Sequence, residues 1–268
     1  MTQPSFFNQI LIWPILNVLM FFYNILAASK IPGAFGLAII FLTLFIRGLL
    51  YPLTKTQLMS AKKMSKLKPE LDQLSKKHKG DRQKLQQVQL ELYKKHGINP
   101  ASGCLPLLLQ MPVFIALYRV FWQVLGNGNV GQVVEDVNKI VYHSFLKIKS
   151  LDLYFFGINL GEKPANWQKA GWWLLLIPVI TAGLQWYQTK LMTSQAKAKK
   201  EVVVKKKKKK KTEESPQQDM GQEMQKQMAL MAPLMIGFVS FSFPVGLALY
   251  WNTFSLFGII QSLRINER

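Results

Sequence analysis

Arg47 is the first residue whose surroundings suggest chemistry. It lies within an otherwise apolar run, Phe35–Leu53, about two helical turns before the run ends. Placing an arginine mid-helix in a bilayer costs roughly 2.5–3.5 kcal/mol on insertion scales. None of the chain's apolar runs contains an Asp or Glu to neutralise it. Arg47 either snorkels to nearby headgroups or faces a wet cavity between helices, free to meet an anionic guest. Thr43 lies one turn earlier on the same face, and Gln110, Gln185 and Asn252 sit in other apolar runs. Each of these serves either the same cavity or an ordinary interhelical hydrogen bond. The chemistry on offer is electrostatic attraction and hydrogen bonding. Covalent and metal chemistry have little to build on. Cys104 is the sole cysteine, and His78 and His96 lie in a different loop from His143. No Gly-rich phosphate loop or Gly-x-Ser-x-Gly elbow is present. The sequence therefore predicts a protein that is not an enzyme, with no catalytic residues, no metal and no cofactor.

Positioning such residues requires membrane helices. A bilayer crossing needs about 20 apolar residues, and five runs approach that length: Phe35–Leu53, Leu105–Leu125, Gly171–Trp186, Met228–Phe243 and Pro244–Leu263. The formal net charge of +20 is concentrated between these runs. Lys55–Lys95 holds 12 Lys/Arg against four acids, and Lys190–Lys226 holds 12 against five, whereas Gly126–Ala170 is nearly balanced. Cationic loops stay in the cytoplasm. The two basic loops are thus expected inside and Gly126–Ala170 outside, with the C-terminus cytoplasmic and the N-terminus outside. The first 29 residues carry no Lys or Arg, and no secretory cleavage signal is evident. Ile10–Ala28 is apolar but contains Pro14, Asn17 and Asn24, the two asparagines sharing one helical face. It is expected to be an interfacial helix on the outer leaflet; the alternative is a sixth span that puts the N-terminus inside.

The expected architecture is an all-α membrane protein with a five-span helical core, a cytoplasmic helical hairpin and an N-terminal interfacial amphipathic helix. The interfacial helix takes residues 1–30, the first span 31–54 and the hairpin 55–98. The second span takes 99–126, the extracytoplasmic loop 127–168 and the third span 169–191. A basic flexible loop takes 192–226, the fourth and fifth spans 227–243 and 244–264, and the tail 265–268. In the hairpin, Met64, Leu67, Leu71 and Leu74 form a coiled-coil seam, repeated by Leu85, Val88 and Leu92. Asp81 is a natural N-cap for the second helix, and Pro69 should kink the first. In the loop, only a short helix near Val133–Ile148 shows periodicity. Phe243-Pro244-Val245-Gly246 forces a tight antiparallel pair. Met59, Met64, Met224, Met228, Met231 and Met235 offer adaptable apolar surface, or ordinary packing.

Three separated stretches share one likeness. Gly36-Leu37-Ala38-Ile39-Ile40 with Arg47 and Tyr51-Pro52-Leu53-Thr54-Lys55 resembles the first core span of the YidC insertase family. Asn99-Pro100-Ala101-Ser102-Gly103-Cys104-Leu105-Pro106-Leu107-Leu108-Leu109-Gln110-Met111-Pro112 resembles its second-span signature. Phe243-Pro244-Val245-Gly246-Leu247-Ala248-Leu249-Tyr250-Trp251-Asn252 resembles its last-span signature. The resemblance is collinear from about Ile10 to Ile265. It implies a hydrophilic groove open to the cytosol and lipid but closed to the outside. Arg47 and Thr43 match groove positions, and Tyr250 and Trp251 match aromatics of the last span. It also implies a membrane chaperone that receives nascent membrane proteins from ribosomes in the bacterial cell membrane, alone or beside the Sec translocon. The chain is expected to depart from the family in lacking a large extracytoplasmic domain and a lipoprotein signal and in having a short tail, and it carries Arg119 where an uncharged residue is usual.

The cations Lys205, Lys206, Lys207, Lys208, Lys209, Lys210 and Lys211 form an unbroken run in a polar segment. Like charges repel, so the segment is expected to be disordered. Ribosomal RNA and anionic lipids are its two candidate partners; the plain alternative is a solvated linker that enforces topology. Two other functions stay open at this level: a small-solute transporter, although no convincing repeat relates the two halves, and an assembly scaffold for other membrane complexes.

Overall fold

A computed structural model describes residues 2–78, 80–97, 105–126, 129–194, 231 and 233–266. Most of the described chain is helical. Helix α1 runs Asn8–Ala28. It opens with a wide π-type turn, Asn8–Ile12. Pro14 then falls in the first turn of the α-helical part, where its missing N–H is tolerated. Pro14 therefore does not break the helix. By length and composition α1 is the one described helix that reaches span length by itself.

Helix α2 (Ala34–Leu49) follows, with Gly33 at its N-cap in the left-handed region (φ 74°). It stops at Leu50 rather than running on to Leu53, and α3 (Tyr51–Lys77) begins at once. The axis bends by 60° at this break, so the two form one bent apolar unit through Ser60. Pro52 sets the break: it sits in the first turn of α3, because it cannot donate the backbone bond that would continue α2. Helix α4 (Arg82–Lys95) completes the hairpin. The Asp81 side chain accepts the Lys84 backbone N–H at 3.0 Å, the expected N-cap. Pro69 is contained within α3. Leu67 is buried on the seam, and His96 Nε2 lies 3.6 Å from the Glu70 carboxylate across the hairpin.

Helix α5 (Leu105–Gly126) returns. The stretch beyond it is far more organised than a loop. Helix α6 (Val130–Ile140) buries Val133, Val137 and Ile140 on one face, and the Asn138 amide both accepts from Ile148 N–H and donates to Ile148 O at 2.9 Å. It ends at Ile140, short of the expected Ile148. Strands β1 (Tyr154–Phe155) and β2 (Ile158–Asn159) then pair antiparallel. This cap is tied to the helices on several sides. Asn17 donates to Ile140 O and accepts from Tyr142 N–H, Asn24 donates to Phe145 O, and the Tyr23 hydroxyl donates to Ser150 O. The two asparagines thus use their shared face on the cap. The Phe155 ring packs so tightly on Gly36 that a methyl there would strike it.

A single 3-10 turn, Trp172–Leu175, leads into α7 (Leu176–Ser194). Helix α8 (Pro233–Ser242) and α9 (Val245–Asn266) meet at Phe243-Pro244, the predicted tight junction. The backbone N–H groups of Val245 and Gly246 donate to Glu162 O and Leu160 O at 2.8 Å, so the cap also holds the start of α9. Helix α9 packs along both α2 and α7. The core at this centre includes Leu16, Phe35, Ile39, Leu42, Leu117, Phe121, Leu247 and Tyr250.

Candidate functional site: a polar seam beneath the last helix

Helix α9 carries two polar stripes because it is wedged between two neighbours. Tyr250 and Phe254, four apart, face α2 and α5. Trp251, Ser255, Gly258 and Ser262 recur at intervals of four, three and four, which is one face of a helix, and Trp251 and Ser255 meet α7.

Arg47 sits on the buried side of α2 and is only 5% exposed. Its Nη2 donates to the Phe254 backbone carbonyl at 2.6 Å, and its guanidinium carbon lies 3.4 Å from the centre of the Phe254 ring. The arginine therefore spans the α2–α9 seam and does not snorkel free. Gly258 makes this crossing feasible. A methyl there would lie 2.8 Å from Arg47 Nη2 and run into Gln188 Nε2. Thr43, one turn away, is fully buried and donates to Ile39 O at 2.7 Å within its own helix.

The other predicted residues fall into two linked pairs. Gln110 Nε2 on α5 lies 3.3 Å from the Tyr250 hydroxyl, which is itself 2% exposed. Gln185 Oε1 on α7 accepts from Trp251 Nε1 at 3.1 Å and from the Ser255 hydroxyl at 3.5 Å. Phe114 meets the Trp251 ring edge-on at 5.1 Å. Asn252 is different: its Oδ1 is buried with no partner among the described residues. Arg47 Nε, Gln261 Nε2 and Ser262 Oγ share that condition. An unpaired buried polar atom costs about 1–3 kcal/mol. Arg47 Nε, Gln261 Nε2 and Ser262 Oγ, on two adjoining helices, mark a seam suited to a polar guest or water; Asn252, nine residues from Gln261, lies on the opposite side of α9. Lys205–Lys211 lie outside the described residues.

Phe254, Ser255, Gly258, Gln188, Gln261 and Ser262 belong to this seam without having been singled out. The sequence held a signal for part of the set, since Trp251, Ser255, Gly258 and Ser262 follow a heptad of small or polar residues through an apolar helix. Nothing local announced that Phe254 would supply both a carbonyl and a ring to Arg47.

An all-helical membrane protein with a buried arginine strapped between two helices is the class that this architecture defines. Residues 26–268 match the family described as 60Kd inner membrane protein, and the chain belongs to that family. A membrane protein insertase YidC from Oceanobacillus iheyensis is 34% identical over 87% of this chain and 75% of its own length. The YidC of Wolinella succinogenes is 32% identical over 89% of this chain, which spans only 34% of that longer protein. The crystal structure of an active YidC insertase with its first transmembrane domain resolved aligns with 96% of this chain and 46% of its own, at 27% identity and a TM-score of 0.49.

Proposed function

We propose that this chain moves newly made membrane proteins into the bilayer, using the seam between α2, α5, α7 and α9 as the entry for their polar parts. The observation that carries this reading is Arg47: a buried cation held by a neutral carbonyl, on a seam with polar atoms that have no partner among the described residues. A client's polar tail displaces the Phe254 carbonyl and satisfies the orphaned groups. Its apolar segment leaves sideways along the exposed apolar faces of the helices. Such faces include Met111 and Ile115 on α5 and Leu234, Met235 and Phe238 on α8. Hydrogen bonds and charge suffice, so the reading needs no covalent step and no cofactor.

In this reading the hairpin α3–α4 and the basic segment with Lys205–Lys211 face the cytoplasm. The cap of residues 129–171 faces outward, α1 lies against the outer leaflet, and the N-terminus is outside. The three hydrogen-bonding side chains of α1 that reach the cap support this placement of α1. Ribosomes deliver the clients, with or without the Sec translocon, and the lysine run contacts ribosomal RNA or anionic lipid. The decisive experiment is reconstitution of the purified chain into liposomes with a small ribosome-synthesised client. Protection of the client from added protease, absent from empty liposomes, is the expected result. Equal protection in both refutes the reading.

A further inference from the structure

Arg119 is a cation that the seam does not use. Met111, Ile115, Arg119 and Trp122 are all exposed along α5, at spacings of four, four and three, which form one outward stripe. Arg119 is seven residues from the end of α5, about 10 Å along the axis. On the topology proposed above, that puts it within the outer half of the bilayer. Snorkelling outward is the ordinary remedy, and it carries the guanidinium toward the headgroup level.

The surroundings of Arg119 are aromatic rather than acidic. Its guanidinium carbon lies 5.2 Å from the centre of the Phe7 ring. Trp122, one turn further out, carries a second cation: Lys163 Nζ is 4.7 Å from its ring. Neither Arg119 nor Lys163 forms an ion pair among the described residues. The nearby Glu162 carboxylate is engaged elsewhere, accepting from Asn166 Nδ2 at 2.6 Å and from the Lys163 backbone N–H at 3.4 Å. Among the described residues, two cations without counter-ions thus lie against rings, Arg119 against Phe7 and Lys163 against Trp122, which is one helical turn along α5 from Arg119. A guanidinium stacked on a ring keeps its N–H edges free, and these match the oxygens of a phosphate.

We propose that Arg119 and Lys163 hold the phosphate of one outer-leaflet phospholipid, with Trp122 and Phe7 packing beneath its headgroup. The lipid supplies the counter-ion that the helix lacks, and its acyl chains run down the Met111–Ile115 stripe. This inference rests on the topology given above but not on insertase activity, and its readout involves no client.

The test is native mass spectrometry of the full chain in detergent, titrated with palmitoyl-oleoyl phosphatidylglycerol or with dioleoylglycerol, which has the same chains but no phosphate. The parent should retain one phosphatidylglycerol at concentrations where diacylglycerol is lost. Arg119→Gln and Lys163→Gln should each weaken retention about threefold or more, the double variant about tenfold, and Arg119→Lys much less than Arg119→Gln. Unchanged phosphatidylglycerol affinity in the double variant overturns the proposal, as does equal retention of diacylglycerol by the parent. Both variants remove charge without removing a core side chain, and an unaltered thermal midpoint confirms folding. Lys163→Gln alone, outside the helix, gives an independent reading.

Discussion

Replacing Arg47 by alanine should leave the fold nearly as stable while selectively slowing acidic clients. Placing the charge within a span costs roughly 2.5–3.5 kcal/mol, and an Nε with no partner adds about 1–3 kcal/mol. Against this, the charged hydrogen bond to Phe254 O contributes about 1.5–3 kcal/mol, and stacking on a desolvated ring about 2 kcal/mol. The opposing sums overlap, so Arg47→Ala is expected to shift the thermal midpoint by only a few degrees. The effect on a client is different. A carboxylate 4 Å from the guanidinium gains about 4 kcal/mol at an effective dielectric of 20, against about 1 kcal/mol in water. Giving up the Phe254 bond removes about 1.5–3 kcal/mol of that. A net advantage of about 1–2 kcal/mol corresponds to roughly tenfold. The assay compares two clients that differ only in Asp/Glu against Asn/Gln in the translocated tail, scored by protease protection in liposomes. Arg47→Ala should slow the acidic client about tenfold and the neutral one less than about twofold, and Arg47→Lys should retain most activity. Equal slowing of both clients, at equal reconstitution, would refute the electrostatic argument.

Gly258→Ala should reproduce much of the Arg47→Ala defect, since the added methyl lies 2.8 Å from Arg47 Nη2. Combining the two should add little, because contacting residues are not additive, whereas a fully additive double variant would show that Gly258 acts elsewhere. Deleting Lys62–Lys95 should leave the spans folded, as judged by melting and circular dichroism, but reduce insertion; full activity would make the hairpin dispensable. In a Cys104→Ser background, cysteines introduced at Thr2 and Phe145 should react with a membrane-impermeant reagent in intact cells, and one at Ser194 should not. Protection at position 2 would instead favour α1 as a sixth span. Exchanging Lys205–Lys211 for Ser/Gly should weaken co-sedimentation with ribosomes in detergent, with a shallower salt dependence than the parent. Unchanged affinity would sink the ribosomal reading of that run.

The readability of this protein followed the range of the interactions involved. Local signals were sufficient for Asp81 at its cap and for the turn at Phe243-Pro244, whereas for Arg47 they left snorkelling and a cavity both open, and only its burial against Phe254 excludes the free snorkel. Asn17 and Asn24 were correctly placed on one face, yet their partners lie more than 100 positions away in the cap and could not be inferred. The break at Leu50 was missed because the apolar run continues to Leu53 without a change in composition; one missing backbone donor at Pro52 decided it. The cap was read as a loop because its order comes from contacts with α1, α2 and α9 rather than from its own pattern. Gly258 was passed over for a similar reason. Its lack of a side chain matters only once Arg47 and Gln188 arrive from two other helices.

The contact between Arg47 and Phe254 also bears on release. An unpaired arginine in a low-dielectric seam would hold an acidic tail strongly, and a protein that must hand its client to lipid cannot retain it. In the proposed function, the Phe254 carbonyl at 2.6 Å is an internal competitor that would reclaim the guanidinium when the client moves on. Binding is then an exchange of one hydrogen-bond acceptor for another, and only the difference between a carboxylate and a carbonyl favours the client. The orphaned atoms on α9 work in the same direction. Gln261 Nε2 and Ser262 Oγ lie about two turns along α9 from Phe254, so in the proposed function a tail released by Arg47 meets further polar partners on the same helix. No single site along that path needs to be strong. A seam of several weak polar stations lowers the barrier to crossing while leaving no deep well in which a client would stall.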